Sequence, residues 1–203
     1  MSGATMSVRI PMHDALAAVR RSRRAEDVVI TTMAAAKVWM EQNTTERDFV
    51  FVPSCMGQAT SLGLGIALAQ PHRRVIVCNG DGSMLMNLGS LVTIAAQAPE
   101  NLAVILLDNG MYEVTGGQPT PATAGAPGAA GRVDWIALAR GSGFSSVHHY
   151  ADARWAAAAA GVLSRRGPHF ILLDIEPDPF RGAPTSPGRA ADRAAAFMAA
   201  LRR

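Results

Sequence analysis

The sequence predicts an α/β protein with a doubly wound, mainly parallel sheet sandwiched between helices. Two short runs, residues 75–79 (V-I-V-C-N) and 102–107 (L-A-V-I-L-L), are rich in the aliphatic residues that are typical of buried parallel strands. Between them, apolar residues recur at helical spacing from Ser83 to about Gln97, and Pro99 is expected to end that helix. A strand, a helix and a strand of these lengths form a right-handed βαβ unit.

The rest of the chain alternates helical and strand-like segments in the same way, which favours the doubly wound architecture. With 203 residues, the chain is long enough for one domain of this kind but too short for two with their connections. We therefore expect residues 1–203 to form a single domain. Further strands are predicted at residues 28–31, 49–52 and 170–175, and helices at about residues 12–24, 34–42, 61–70, 151–164 and 190–201.

Polar residues follow both strands of the βαβ unit. Asp81 lies between Gly80 and Gly82 after the first strand, and Asn109 follows the second. The carboxyl ends of adjacent parallel strands meet at one edge of the sheet, so these two side chains should emerge side by side. Their oxygens suit Mg²⁺, and the start of the next helix, at Ser83, favours an anion such as diphosphate. A single G-D-G is also common in turns, so the interpretation depends on both sites together.

The spacing of the two motifs resembles the cofactor-binding domain of thiamine diphosphate enzymes, in which an Asn at a strand end follows G-D-G after roughly 25 to 28 residues. Residues 79–91 and 108–120 are similar to one branch of these enzymes, the sulfopyruvate and phosphonopyruvate decarboxylases. Upstream, residues 55–67 resemble the S-M-G-x-A-S-x-x-L-G stretch of the same branch. The resemblance covers about residues 28–180 and implies the thiamine diphosphate-binding fold, in its diphosphate-binding type of domain.

For the cofactor site, the resemblance implies a Mg²⁺ ion held by the Asp81 carboxylate, the Asn109 side chain and the Met111 carbonyl. It also implies that Gly82 and Ser83 contact the diphosphate group. The residues expected to contact the cofactor are Ser54, Cys55, Met56, Gly80, Gly82, Ser83, Asn109, Met111 and Tyr112.

Near the reacting end of the cofactor, the resemblance implies that Met56 lies beneath the cofactor and enforces its bent conformation, although ordinary core packing is an alternative for this residue. The Ser54 carbonyl would accept a hydrogen bond from the 4′-amino group, but Ser54-Cys55 replaces the usual Gly-Ser of the family. Glu113 and Thr115 follow the metal-binding turn and are candidates for polar contacts with substrate. Met56, Glu113 and Thr115 are thus the expected catalytic residues.

The resemblance implies a carboxy-lyase that uses thiamine diphosphate and Mg²⁺ to convert a 2-oxo acid into CO₂ and an aldehyde. Such enzymes need a second domain, which binds the aminopyrimidine ring and supplies an activating Glu, and this chain has no room for one. We therefore expect the β-type half of a split enzyme, completed by an α-type subunit. Two alternatives stay open: an acetolactate synthase-like carboligase subunit, and a non-catalytic cofactor-binding or regulatory subunit.

Residues 116–131 lack a periodic apolar pattern and are rich in Gly, Pro and Ala. The segment is longer than the about 12–15 residues beyond which structureless loops become uncommon. Because it follows the metal-binding turn, we interpret it as a mobile loop that becomes ordered when cofactor and partner bind. The helix predicted at residues 190–201 is a candidate for docking on a neighbouring subunit.

Composition excludes several other classes of protein. Charged residues make up 17% of the chain, and no apolar run approaches the ~20 residues that span a membrane. Two cysteines are too few for a disulfide framework, which indicates the cytoplasm, and too few for the iron–sulfur cluster of the related ferredoxin-coupled oxidoreductases. The net charge is +3, but the four arginines between residues 20 and 24 have no aromatic neighbours for base stacking, so we interpret them as a solvated helix face. Neither a membrane nor a nucleic acid is expected as a partner.

Overall fold

The computed structural model describes residues 9–52, 56–123, 133–178 and 182–203. Strands and helices alternate along these residues, as the sequence predicts. The strands are β1 (Val28–Thr32), β2 (Asp48–Phe51), β3 (Val75–Gly80), β4 (Leu102–Asp108), β5 (Met111–Tyr112), β6 (Gln118–Pro119), β7 (Ser146–Tyr150) and β8 (His169–Asp174). The helices are α1 (Met12–Ser22), α2 (Met33–Glu41), α3 (Ala59–Ala69), α4 (Asp81–Leu85), α5 (Gly89–Gln97), α6 (Trp135–Gly141), α7 (Arg154–Leu163) and α8 (Ala190–Leu201).

Among the described residues, six parallel strands form one sheet in the order β2-β1-β3-β4-β8-β7. Every residue of the central strand β4 is buried, because helices cover both faces of the sheet. Helices α1, α2 and α7 pack on one face, where Trp39 and Trp155 are buried. Helices α3, α5, α6 and α8 pack on the other face, where Trp135 and Phe197 are buried. The predicted fold class, a doubly wound parallel sheet between helices, is confirmed.

The prediction of one continuous helix from Ser83 to about Gln97 is wrong. The chain forms α4 and α5 instead, separated by a tight turn in which the Asn87 N–H donates to the Met84 carbonyl at 3.0 Å. The Asn87 side chain donates to the Gly57 carbonyl at 2.9 Å, which fixes the turn against a segment far away in sequence. Apolar periodicity continues across this break and therefore did not reveal it.

The helix α8 begins and ends where the sequence predicts it. Phe197 packs against Phe49 of β2 with ring centroids 5.0 Å apart, so this helix covers the edge of its own sheet. Docking of α8 on a neighbouring subunit stays a prediction, as does the assignment of the whole chain to a single domain. Of the helices in the described residues, none is long and apolar enough to cross a membrane.

The contact between α3 and the sheet leads to a first prediction about stability. A methyl group added at Gly63 would lie 2.3 Å from Val77 Cγ2, and Val77 is fully buried in β3. We expect Gly63→Ala to destabilise the protein by about 1–3 kcal/mol, because the helix must move away from the sheet. Chemical denaturation measures the free energy of unfolding.

The matched control is Gly65→Ala in the same helix, where an added methyl group meets no atom within 4 Å. This change should leave stability unchanged or raise it by up to about 1 kcal/mol, since Ala favours a helix more than Gly does. Equal effects of the two substitutions would contradict the close packing of α3 on β3.

Candidate functional site

One cleft at the carboxyl edge of the sheet brings together the residues predicted from the sequence. It contains about 480 Å³ of space, part of which is open to solvent, next to the ends of β1, β3 and β4. The predicted residues that line it are Met56, Gly80, Asp81, Gly82, Ser83, Asn109, Met111, Tyr112, Glu113 and Thr115. Two further predicted cofactor contacts, Ser54 and Cys55, lie outside the described residues.

The pairing of β3 with β4 explains why Asp81 and Asn109 face the same cleft. The two strands are parallel and adjacent, and Gly80 is opposite Leu107 in their register. Asp81 is the next residue after β3, and Asn109 is the next residue after β4. Both side chains are buried at this edge, as the sequence predicts for a pair of adjacent strand ends.

The Asp81 carboxyl group lies in an environment that disfavours its charge. Burial, and after it the charge of the neighbouring Asp108 carboxylate, raises the pKa of Asp81 to about 7. A hydrogen bond from Thr120 Oγ1 to Asp81 Oδ2, at 2.8 Å, acts in the opposite direction. None of the described groups that shift the pKa of Asp81 is a cation. A divalent cation in the cleft would therefore favour the ionised carboxylate.

A tight turn holds the Asn109 side chain in place. Asn109 Oδ1 accepts a hydrogen bond from the Met111 N–H at 3.0 Å, and Asp108 Oδ1 accepts one from the Gly110 N–H at 3.1 Å. Gly110 has φ +77°, and a side chain there would meet Thr123 Oγ1 at 2.8 Å. The amide oxygen has a second lone pair, so this geometry still permits Asn109 to ligate a metal.

Met56 lies on a segment that is held by the helix after β3. Ser83 Oγ accepts a hydrogen bond from the Gly57 N–H at 2.9 Å, and the Gly57 carbonyl accepts one from the Asn87 side chain. Ser83 is predicted as a diphosphate contact, and the structure adds that its hydroxyl oxygen fixes the backbone next to Met56. The hydroxyl proton of Ser83 stays available for donation.

Gly82 is packed against the ring of Tyr112. A methyl group at Gly82 would lie 2.4 Å from Tyr112 Cε1, so only glycine permits this close contact. Tyr112 belongs to β5, which pairs with β6 in an antiparallel arrangement that the sequence analysis does not predict. The contact therefore connects the G-D-G turn after β3 with the segment after β4.

The two other candidates for catalysis, Glu113 and Thr115, lie in a 3₁₀ helix and line the same cleft. The buried Glu113 carboxylate accepts a hydrogen bond from the Asp178 N–H at 2.9 Å. Thr115 Oγ1 lies 3.2 Å from Gln118 Oε1, and Gln118 Nε2 donates to the Thr115 carbonyl at 3.0 Å. Glu113 is thus bonded to the backbone that follows β8, and Thr115 is bonded to Gln118. The role of both residues in catalysis stays a prediction.

Thr120 is not among the site residues predicted from the sequence, because it lies in the segment interpreted as a mobile loop. Residues 116–123 fold back on the cleft: β6 pairs with β5, and the Thr120 N–H donates to the Gly110 carbonyl at 2.9 Å. Residues 116–123 thus contain a short strand and backbone hydrogen bonds that the sequence pattern did not indicate. Residues 124–131 lie outside the described residues, and the mobility of the segment stays a prediction.

The edge of the sheet next to the cleft also contains polar side chains that find no hydrogen-bond partner in the described part of the chain. They are Thr32, through its buried Oγ1, and Asn79, through both buried polar atoms of its side chain. Thr31 of β1 pairs with Cys78 of β3. The next residues along the two chains, Thr32 and Asn79, are therefore also neighbours. Met33, which lines the cleft, has φ +56°, a strained conformation for a residue with a side chain. Unpaired groups and strain are typical of ligand sites.

Comparisons with known proteins give a consistent result. Residues 27–173 match the family described as thiamine pyrophosphate enzyme, C-terminal TPP binding domain. A phosphonopyruvate decarboxylase from Streptomyces hygroscopicus is 41% identical over 154 residues, which cover 75% of this chain and 36% of that protein. A sulfopyruvate decarboxylase subunit beta from Methanothermobacter thermautotrophicus is 44% identical over 131 residues, 64% of this chain and 63% of that one. This chain thus spans less than two thirds of either relative.

The fold also occurs in solved structures. The 2-oxoglutarate:ferredoxin oxidoreductase from Magnetococcus marinus superimposes with a TM-score of 0.66 over 95% of this chain and 74% of that chain. At 16% identity this likeness establishes the fold alone. The family match over residues 27–173 covers more than half of the chain, so the chain belongs to the family of thiamine pyrophosphate enzymes, C-terminal TPP binding domain.

Proposed function

We propose that this chain is the β-type subunit of a split 2-oxo acid decarboxylase that depends on thiamine diphosphate and Mg²⁺. The observation that carries the proposal is the cleft in which Asp81 and Asn109 follow adjacent parallel strands. The names of the two relatives, a phosphonopyruvate decarboxylase and a sulfopyruvate decarboxylase subunit, support an anionic 2-oxo acid of one of these types as substrate. The products would be CO₂ and an aldehyde, and the small number of cysteines suits the cytoplasm.

The residues in the cleft fit a magnesium ion. The carboxylates of Asp81 and Asp108 are close enough for one to raise the pKa of the other, which leaves negative charge to be compensated. Mg²⁺ prefers a few protein oxygens together with phosphate oxygens and water. In our proposal Asp81 and Asn109 supply side-chain oxygens, and Met111 supplies its backbone carbonyl.

Thiamine diphosphate, when bound, supplies the electron sink that decarboxylation of a 2-oxo acid requires. The protein would bind this group, orient it and exclude water. Met56 is held beside the cleft by the bonds of Gly57 and is suited to support the cofactor from below. Glu113 and Thr115 are the proposed polar contacts for the substrate, because both line the same cleft.

The proposed partner is an α-type subunit that binds the aminopyrimidine ring and supplies the activating Glu. The support is that a relative with 44% identity over 64% of this chain is named as subunit beta of a sulfopyruvate decarboxylase, a name that implies a second kind of subunit.

The first prediction from this proposal concerns activity. We expect the chain mixed with its α-type partner to release CO₂ from sulfopyruvate or phosphonopyruvate, and either chain alone to release little, because each contributes part of the site. Coupled assays with pyruvate as a third substrate measure the specificity. Formation of acetolactate from pyruvate would favour a carboligase, and cofactor binding without turnover of any 2-oxo acid would favour a non-catalytic subunit.

The second prediction concerns the metal site. Asp81→Asn should weaken Mg²⁺-dependent binding of thiamine diphosphate by roughly 100-fold, or about 2.7 kcal/mol, since the amide cannot replace the carboxylate charge. Isothermal titration calorimetry of the assembled complex measures this. Asp192→Asn, at an exposed position in α8, is the matched control and should bind the cofactor like the wild type.

The same substitution has the opposite effect on the protein without metal. The pKa of Asp81 is raised from 3.8 to about 7, so the unfolded chain ionises at lower pH than the folded one, and the folded state loses stability as the pH rises from about 4 to about 7. Asp81→Asn should therefore be more stable than the wild type at pH 8 in EDTA, and equal to it below about pH 4. If Asp81→Asn and the wild type were equally stable at pH 8 and bound the cofactor equally well, Asp81 would not be a metal ligand.

A third prediction tests Thr120. Thr120→Val keeps the shape of the side chain but removes the hydrogen bond to Asp81 Oδ2, and it should raise the Mg²⁺ concentration for half-saturation by about 10-fold. Thr120→Ser should restore the wild-type value. Thr93→Val, at an exposed position in α5, is the control. Wild-type Mg²⁺ affinity in Thr120→Val would rule out a positioning role for Thr120.

A further inference from the structure

A second cleft, here called the basic groove, lies at the opposite edge of the sheet, where β3, β4 and β8 begin. It contains about 520 Å³ of space, part of which is open to solvent. We propose that the basic groove binds a polyphosphate anion, a ligand with two or more linked phosphate groups, at a site separate from the candidate cofactor cleft. The five arginines that line it are Arg24, Arg73, Arg74, Arg165 and Arg166.

Two of these arginines have structural partners that explain them. The Arg74 guanidinium donates hydrogen bonds to the Asp27 carboxylate and to the carbonyls of Ser22 and Leu163. These two residues are the last ones of α1 and α7. Arg166 pairs with Glu100 across the groove. Neither arginine requires a ligand to account for its position.

The three other arginines have no carboxylate partner among the described residues. Arg73 donates to the Gln70 side chain and to the Glu26 carbonyl, both at 3.3 Å, and these are neutral acceptors. The guanidinium groups of Arg24 and Arg165 make no hydrogen bond or ion pair within the described part of the chain. Three uncompensated cations around one cleft repel each other, and an anion between them would relieve that repulsion.

The arginines of the basic groove also contribute, after burial, to the lowered pKa of two neighbouring histidines. His169 lines the basic groove, and its pKa is lowered chiefly by burial and further by the charges of Arg165 and Arg74. The pKa of His148 is also lowered, first by burial and then by His169 and Arg165. The cations of the groove thus act on groups several residues away from them in sequence.

The chemistry of the lining favours the phosphate groups themselves as the recognised part of the ligand. A planar guanidinium can donate two parallel hydrogen bonds to a phosphate, and it keeps its charge at every physiological pH. The described lining contains no Phe, Tyr or Trp on which a nucleobase could stack. The candidate cofactor cleft is at the carboxyl ends of the strands, whereas the basic groove is at their amino ends, so the two sites do not share residues.

The test is calorimetric titration of the full chain with inorganic tripolyphosphate in EDTA at low salt. We expect the double variant Arg24→Gln/Arg165→Gln to bind tripolyphosphate at least about 10-fold more weakly than the wild type, since two charge-assisted contacts are lost. The control double variant, Arg154→Gln/Arg189→Gln, removes the same formal charge from exposed arginines outside the groove and should bind like the wild type.

Binding weaker than about 1 mM, or an equal loss of affinity in both double variants, would overturn the proposal, because binding would then be absent or would reflect net charge alone. A parallel titration with ATP distinguishes the sources of the phosphate groups. Equal affinity for ATP and tripolyphosphate identifies the phosphate chain as the ligand, and tighter binding of ATP identifies a nucleotide; either supports the site. The groove variant should keep its Mg²⁺-dependent affinity for thiamine diphosphate, so this test is independent of the proposed activity.

Discussion

The parallel register between β3 and β4 is the constraint on which the candidate active site depends. With Gly80 opposite Leu107, the two chain segments leave the sheet at the same level and their first polar residues, Asp81 and Asn109, line one cleft. A shift of one residue in this register would also turn the apolar side chains of β4 towards the wrong helices, so the core and the site impose the same pairing. The buried sheet thus fixes the geometry of the cleft.

The unfavourable features of the structure concentrate at that edge. The central strand β4 is fully buried, whereas the cleft edge combines a carboxyl group of raised pKa, the strained backbone of Met33 and the side chains of Thr32 and Asn79, which have no hydrogen-bond partner among the described residues. Such features cost stability in the free protein, and a ligand that satisfies them recovers part of that cost as binding energy. The arrangement is what a preorganised binding site requires, because the protein need not rearrange its polar groups when the ligand arrives.

The sequence predicted the fold and most of the described candidate site because both follow from local patterns. Apolar runs mark the buried strands, and the G-D-G and Asn motifs directly follow two of them. What the sequence could not reveal depends on contacts between distant segments: Asn87 divides a predicted helix by bonding Gly57, and Thr120 reaches Asp81 from a segment that looks structureless. The basic groove is of the same kind, since its arginines come from three separate turns. The interpretation of the arginines at 20–24 as a solvated helix face was wrong for Arg23, which is buried in an ion pair with Asp48.

In the proposed function, Asp81 and Asn109 hold one divalent cation together with the cofactor. Anomalous diffraction from crystals grown with Mn²⁺ and thiamine diphosphate tests it most directly, because Mn²⁺ replaces Mg²⁺ at oxygen-ligand sites and is visible at its absorption edge. We predict a single strong anomalous peak in the cleft, within bonding distance of oxygens from both side chains. A fully occupied cofactor with the Mn²⁺ peak away from Asp81 and Asn109, or with no peak, would contradict the account.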